Sequence, residues 1–230
     1  MDRRRNSLMR MPTAIVLSHR SVAHELGHLE PWLDRHDFQI HRIYREDRPV
    51  LGEADLLVVL GSPNSVASGY CLQQAEAEIS LVSEWISRDR PYLGICFGSQ
   101  VLARALDGSV RRMKHKYCSY TPMTLTSQAP PSLKGPWVLW HEDAISAPEG
   151  ATLLASMPHA DTVFVQGSAW GIQPHIEFTP EIVARLAEAV GLTADLWEPI
   201  YQSMRDDDSN LAERSGLLLD SFWASVNSLV

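Results

Sequence analysis

Short apolar runs rich in β-branched residues alternate along the chain with longer stretches in which apolar positions recur every three or four residues. Residues 13–18, 38–44, 55–60 and 92–95 have the first pattern and read as buried strands. Leu72, Ala75, Ile79, Val82 and Ile86 step by 3, 4, 3 and 4, which predicts a helix with one apolar face. Val22, Leu26, Leu29 and Leu33 form a second such stripe, and residues 97–106 read as a helix that opens directly after a strand. Strands alternating with helices predict an α/β fold with a mostly parallel central sheet flanked by helices.

The pattern changes between residues 110 and 173. Short extended pieces are broken by Pro130, Pro131, Gly135 and Pro136, and we read them as returning strands and loops that decorate one end of the sheet. Ile182, Leu186 and Val190 mark another helix. The rest is helical in pattern but interrupted by a polar, acidic linker at 205–210, and it ends with Leu218, Phe222, Val226 and Leu229 on one face. The expected organisation is an N-terminal arm over 1–12, one α/β domain over 13–191, and a helical C-terminal extension over 192–230 packed on that domain. Its apolar stripe could dock a partner, although most such stripes pack on their own domain.

Composition narrows the function classes. Hydrophobic residues make up 45% and charged residues 21% of 230, an ordinary globular balance. With 28 acidic against 20 basic residues the net charge is −8, so nothing supplies the positive footprint that nucleic acid requires. No apolar run is long enough to span a bilayer. Three cysteines, an odd number, point to a reducing compartment and leave room for a reactive thiol, so a cytoplasmic location is expected.

The most informative stretch is Tyr92, Leu93, Gly94, Ile95, Cys96, Phe97, Gly98, Ser99 and Gln100, a strand running through G-x-C-x-G into a helix. This is the cysteine form of the nucleophile elbow. Gly94 and Gly98 remove side chains that would collide in so sharp a turn. Cys96 is thereby presented at a helix N-terminus, where the dipole favours the thiolate. A cysteine nucleophile needs a base, and the base needs an orienting group. Downstream, His175 ends an extended run and Glu177 follows two positions later, which can complete a Cys-His-Glu triad.

These residues resemble the class I, triad-type glutamine amidotransferases, and in particular stand-alone relatives of the amidotransferase domain of GMP synthase. The resemblance runs from about Ala14 to Ile182 and rests on four motifs in order. Gly61, Ser62, Pro63, Asn64 and Ser65 follow a strand like the family's oxyanion loop. Gly94 to Gln100 is the nucleophile motif. Trp140, His141, Glu142 and Asp143 are similar to the His-Gly-Asp segment, and Gly171 to Glu177 to the terminal His-Pro-Glu stretch. The resemblance implies attack by Cys96 on a glutamine side-chain amide, proton transfer by His175, and orientation by Glu177. It also implies an oxyanion hole from backbone N–H groups of Gly61, Ser62 and Phe97, and substrate contacts from Gln100, Ser119, Tyr120 and His141.

It implies no cofactor. The substrate would be glutamine or a γ-glutamyl small molecule, with ammonia passed to a synthetase on another chain, since no P-loop is present. Ser62 stands where the family has a second glycine, so strain is expected there if the position needs positive φ. Tyr117, Cys118 and Ser119 replace a Glu-x-Gly stretch, Glu142 replaces a glycine, and Ile176 a proline. These departures keep two other readings open, a γ-glutamyl hydrolase acting on a small conjugate and a regulatory or binding module without turnover.

His24, Glu25, Leu26, Gly27 and His28 spell H-E-x-x-H, a zinc-hydrolase signature. On a helical wheel both histidines fall about 190–230° from the apolar stripe, toward solvent rather than into a cleft. No metal site is therefore expected.

Overall fold

The computed structural model describes residues 10–228. The expected N-terminal arm over 1–12 is described only from Arg10 onward, and Leu229 also lies outside the described residues. Four strands come where the apolar runs predict them: β1 (Thr13–Ser18), β2 (Gln39–Tyr44), β3 (Leu56–Val59) and β4 (Tyr92–Ile95). Together with β10 (Ala169–Ile172) they make a parallel half-sheet in the order β2-β1-β3-β4-β10.

The other half is antiparallel. Strand β9 (Ala160–Gln166) pairs with β10, then come β7 (Pro136–Ser146) and β5 (Ser109–Pro122), while β8 (Thr152–Met157) and the short β6 (Thr124–Leu125) pair off this path. The sheet is thus mixed, and residues 110–173 widen it rather than decorate one end. The reason is visible in β5, whose Arg111, Arg112, Lys114, His115 and Lys116 leave little apolar signal. Such charges are what an exposed sheet edge carries.

Helices α1 (Leu29–Arg35), α4 (Pro180–Ala189), α5 (Ala194–Asp206) and α6 (Asp208–Asn227) cover one face of the sheet; α2 (Gln73–Ile86) and α3 (Phe97–Ala105) cover the other. Alternate residues of the central strands serve the two cores. Ala14, Val16, Leu56 and Val58 pack with α1, α4, α5 and α6, whereas Ile15, Leu17, Leu57 and Val59 pack with α2 and α3. Burial on both faces explains why these strands read as unbroken apolar runs.

Several helical expectations shift in detail. The stripe beginning at Val22 becomes a helix only from Leu29, because Ala23 and Gly27 take positive φ of 47° and 46°. On α2, Ala75 and Val82 are buried as expected, but Leu72 is exposed and Glu78 and Trp85 share the buried face. That face is turned toward Arg45, with which Glu78 pairs. The polar run at 205–210 is not a linker. Helices α5 and α6 meet at Asp207, which accepts hydrogen bonds from the Tyr120 hydroxyl at 2.7 Å and Arg214 at 3.0 Å. Leu218, Phe222 and Val226 are buried in the chain's own core, so this stripe offers no free docking face. No helix of the described residues is long and apolar enough to cross a membrane.

Candidate active site

Cys96 sits between β4 and α3 with φ 52° and ψ −105°, a conformation that residues with a side chain rarely adopt. Its surroundings enforce it. The Cys96 N–H donates to the Ile172 carbonyl at 2.8 Å, and its own carbonyl accepts the Ser99 hydroxyl at 2.6 Å. Gly98 makes the turn possible, since a Cβ there would lie 2.1 Å from the Val59 carbonyl oxygen, and one at Gly94 would lie 2.5 Å from the Gly98 backbone. Backbone strain held by this much packing is the arrangement that presents a nucleophile above a sheet.

His175 follows β10, and its N–H donates to the Val138 carbonyl at 2.8 Å. Its Nδ1 lies 2.7 Å from Glu177 Oε1, and both side chains are almost wholly buried. The ring stacks on Phe178 with centroids 3.9 Å apart. Burial alone would lower the His175 pKa. The Glu177 carboxylate and the neighbouring Cys96 outweigh it and push the value up to about 10. A Cβ added at Gly61 would lie 3.2 Å from His175 Cε1 and 4.0 Å from Cys96 Cβ, so histidine and cysteine converge over that glycine. Ile176 points into the core, with its carbonyl accepting the Ser215 hydroxyl at 2.5 Å, and the missing proline leaves the His175–Glu177 pair intact.

The loop after β3 supplies the opposite wall. Ser62 is not among the residues with positive φ, so the strain expected from replacing a glycine does not arise. Instead its hydroxyl accepts the Asn64 N–H at 3.0 Å and pairs with His19 Nε2 at 2.9 Å, and His19 Nδ1 in turn reaches Glu46 at 2.7 Å. Buried Asp143 fastens the far end, accepting the Ser65 hydroxyl at 2.6 Å and the Val66 N–H at 3.1 Å. Among the described residues, the Ser62 and Phe97 N–H groups donate to no protein acceptor. Free N–H groups on either side of a nucleophile are what an oxyanion hole requires.

Cys96, His175, Ser62, Gln100 and His141 line one cleft. The Gln100 side-chain amide donates to Gln173 Oε1 at 3.1 Å, a buried partner that nothing in the sequence pattern singled out. His141 Nδ1 lies 2.7 Å from the Asp143 carbonyl, which can only accept, so Nε2 carries a lone pair. Burial pushes the His141 pKa down to about 4 and keeps the ring neutral. Two other expected substrate contacts are not among the residues lining this cleft. Ser119 is on β5 away from the cleft lining, and Tyr120 is committed to Asp207 and Arg214. The cleft mouth instead holds Arg112 and Lys116, both paired with Glu142, residues whose role needed the β5–β7 pairing to become visible.

The H-E-x-x-H segment is irregular rather than helical, and Glu25 pairs with Arg185 at 2.6 Å. Among the described residues no group of His, Cys, Asp and Glu side chains is arranged to hold a metal ion.

The fold matches that of a glutamine amidotransferase from Thermotoga maritima with a TM-score of 0.79 at 22% identity, covering 93% of this chain and 98% of that one. The glutamine amidotransferase-like protein YfeJ of Salmonella typhimurium is 31% identical over 155 residues, 61% of this chain and 64% of YfeJ. The glutamine-hydrolyzing GMP synthase of Bdellovibrio bacteriovorus is 28% identical over 128 residues, 55% of this chain. The aligned part thus spans under two thirds of the first relative and 23% of the second. The class-I glutamine amidotransferase family model matches residues 18–181, which include Ser62, Cys96, Gln100, His141 and His175, and the chain belongs to that family.

Proposed function

We propose that this protein hydrolyses the side-chain amide of glutamine through a Cys96, His175 and Glu177 triad. The observation that carries the reading is the buried 2.7 Å contact between His175 and Glu177 beside a cysteine held at positive φ. With its pKa near 10, His175 is an imidazolium at neutral pH and can pair with the Cys96 thiolate. The thiolate adds to the γ-carbonyl carbon, and the oxyanion forms against the N–H groups of Gly61, Ser62 and Phe97. As the tetrahedral species collapses, the C–N bond breaks and His175 gives its proton to the departing nitrogen, which leaves as ammonia. Neutral His175 then takes a proton from water, which attacks the γ-glutamyl thioester. Glutamate leaves and the ion pair is restored.

Gln100, whose amide donates to Gln173, and His141 line the cleft and would contact polar groups of the substrate. The ammonia would pass to a synthetase on another chain. The three unpaired cysteines fit a cytoplasmic location. The charged rim of Arg112, Lys116 and Glu142 favours a second reading, hydrolysis of a γ-glutamyl conjugate carrying further charged groups. Trapping with hydroxylamine tests the mechanism: glutamine plus hydroxylamine should yield γ-glutamyl hydroxamate with the native protein and none with Cys96→Ala. Hydroxamate formed equally by both would remove Cys96 from the chemistry.

A further inference from the structure

A buried guanidinium lies directly behind the proposed oxyanion hole. Arg45 is only 1% exposed, in a short 3-10 turn after β2. Its Nη2 donates to the Leu60 carbonyl at 2.8 Å and its Nη1 to the Gly61 carbonyl at 3.1 Å. Glu78 of α2 holds the same guanidinium from the other side, at 2.9 Å from Nε and 3.0 Å from Nη2. The Gln74 side chain donates to the Arg45 carbonyl at 2.6 Å, and the guanidinium lies over the Phe97 ring, 4.9 Å from its centroid. One cation therefore touches both segments that would supply oxyanion donors.

Peptide geometry gives this contact a consequence. The Gly61 carbonyl and the Ser62 N–H belong to one planar trans unit, so they point in opposite directions. Anchoring the carbonyl on Arg45 turns the Ser62 N–H away from Arg45, and anchoring the Leu60 carbonyl does the same for the Gly61 N–H. We infer that Arg45 is a positioning residue that sets the direction of the oxyanion-hole N–H groups, with Glu78 holding it in place. A purely structural role is a weaker account of the pair. Two buried charges are hard to justify by stability alone, because well-packed apolar residues often serve as well.

The inference rests on the cysteine-hydrolase reading, and two reactions of Cys96 separate them. In acylation by 4-nitrophenyl acetate the thiolate adds to the ester carbonyl, passes through an oxyanion and expels 4-nitrophenolate. In alkylation by iodoacetamide the thiolate displaces iodide at a saturated carbon, with no oxyanion. Cys96→Ala supplies the background from Cys71 and Cys118, whose thiols burial pushes up to about 11. The test variants are Arg45→Lys, and Arg45→Met combined with Glu78→Leu, which leaves no orphaned charge.

Both should acylate slower by about 10²-fold, the scale of losing one oxyanion donor. Their alkylation should match the native rate. Unchanged acylation, or acylation and alkylation falling together in the variant that retains native circular dichroism, would overturn the role of Arg45. A native protein whose Cys96 is alkylated but never acylated would overturn the hydrolase reading, and the inference with it.

Discussion

Gly27 is wedged against the backbone of Glu177: a Cβ at residue 27 would lie 1.9 Å from the Glu177 carbonyl oxygen, which accepts the His28 N–H at 2.9 Å. The stretch that spells a zinc motif thus serves as a brace behind the carboxylate that pairs with His175. Gly27→Ala must move one backbone or the other, and at φ +46° it also meets the left-handed penalty. We predict destabilisation on the order of 2–4 kcal/mol, from strain plus overpacking. Turnover should fall by about 10²-fold as Glu177 is displaced. Gly191→Ala, at φ +65° with nothing within 4 Å of its Cβ, should show the strain alone and keep its activity. Chemical denaturation and steady-state kinetics on both variants check this.

The elevated His175 pKa sets a pH dependence of definite sign. The folded protein holds this proton up to about pH 10, whereas an unfolded histidine releases it near the ordinary value of 6.5. The group's contribution to stability is therefore full below about pH 6.5 and lost as pH rises through 10. Activity should stay high well into the alkaline range and fall near pH 10, where the leaving nitrogen loses its proton donor. Glu177→Gln removes the carboxylate, so its alkaline limb should move to lower pH and its kcat should drop. A pH–rate profile of both proteins reads the two effects.

Tyr120 can be tested for the substrate contact that the motif resemblance implies. Its hydroxyl donates to Asp207 and accepts from Arg214 at the joint between α5 and α6. Tyr120→Phe should lower stability by about 1–3 kcal/mol, as for hydrogen bonds to charged groups. Both kcat and KM should stay at native values. A raised KM with native stability would return Tyr120 to the substrate site.

The parallel half of the fold is legible in the chain because its strands are buried on both faces and flanked by glycine-marked turns, as Leu56–Val59 and Gly61 illustrate. The elbow is legible for the same reason: Gly94 and Gly98 are demanded by local packing that leaves a local signature. What escaped depends on distant partners. Strand β5 is an edge strand whose exposed charges hide its register, and only its pairing with β7 brings Arg112 and Lys116 to Glu142. Arg45, Gln173 and Asp143 are buried polar residues, each bonded to a group remote in sequence. No periodicity announces them. Ser62 could be read only once its backbone angle was known, and its hydroxyl then explains how the loop tolerates it.

The most direct measurement of the triad's activity is release of ammonia and glutamate from free glutamine by the purified protein, with Cys96→Ala beside it. Equal amounts of the two products are expected from the native protein and none from the variant, which should fold normally because a buried thiol is merely shortened. Glutamine left intact by a native protein whose Cys96 reacts with a thiol reagent would contradict free glutamine as the substrate, and ammonia released equally by both proteins would contradict the triad itself.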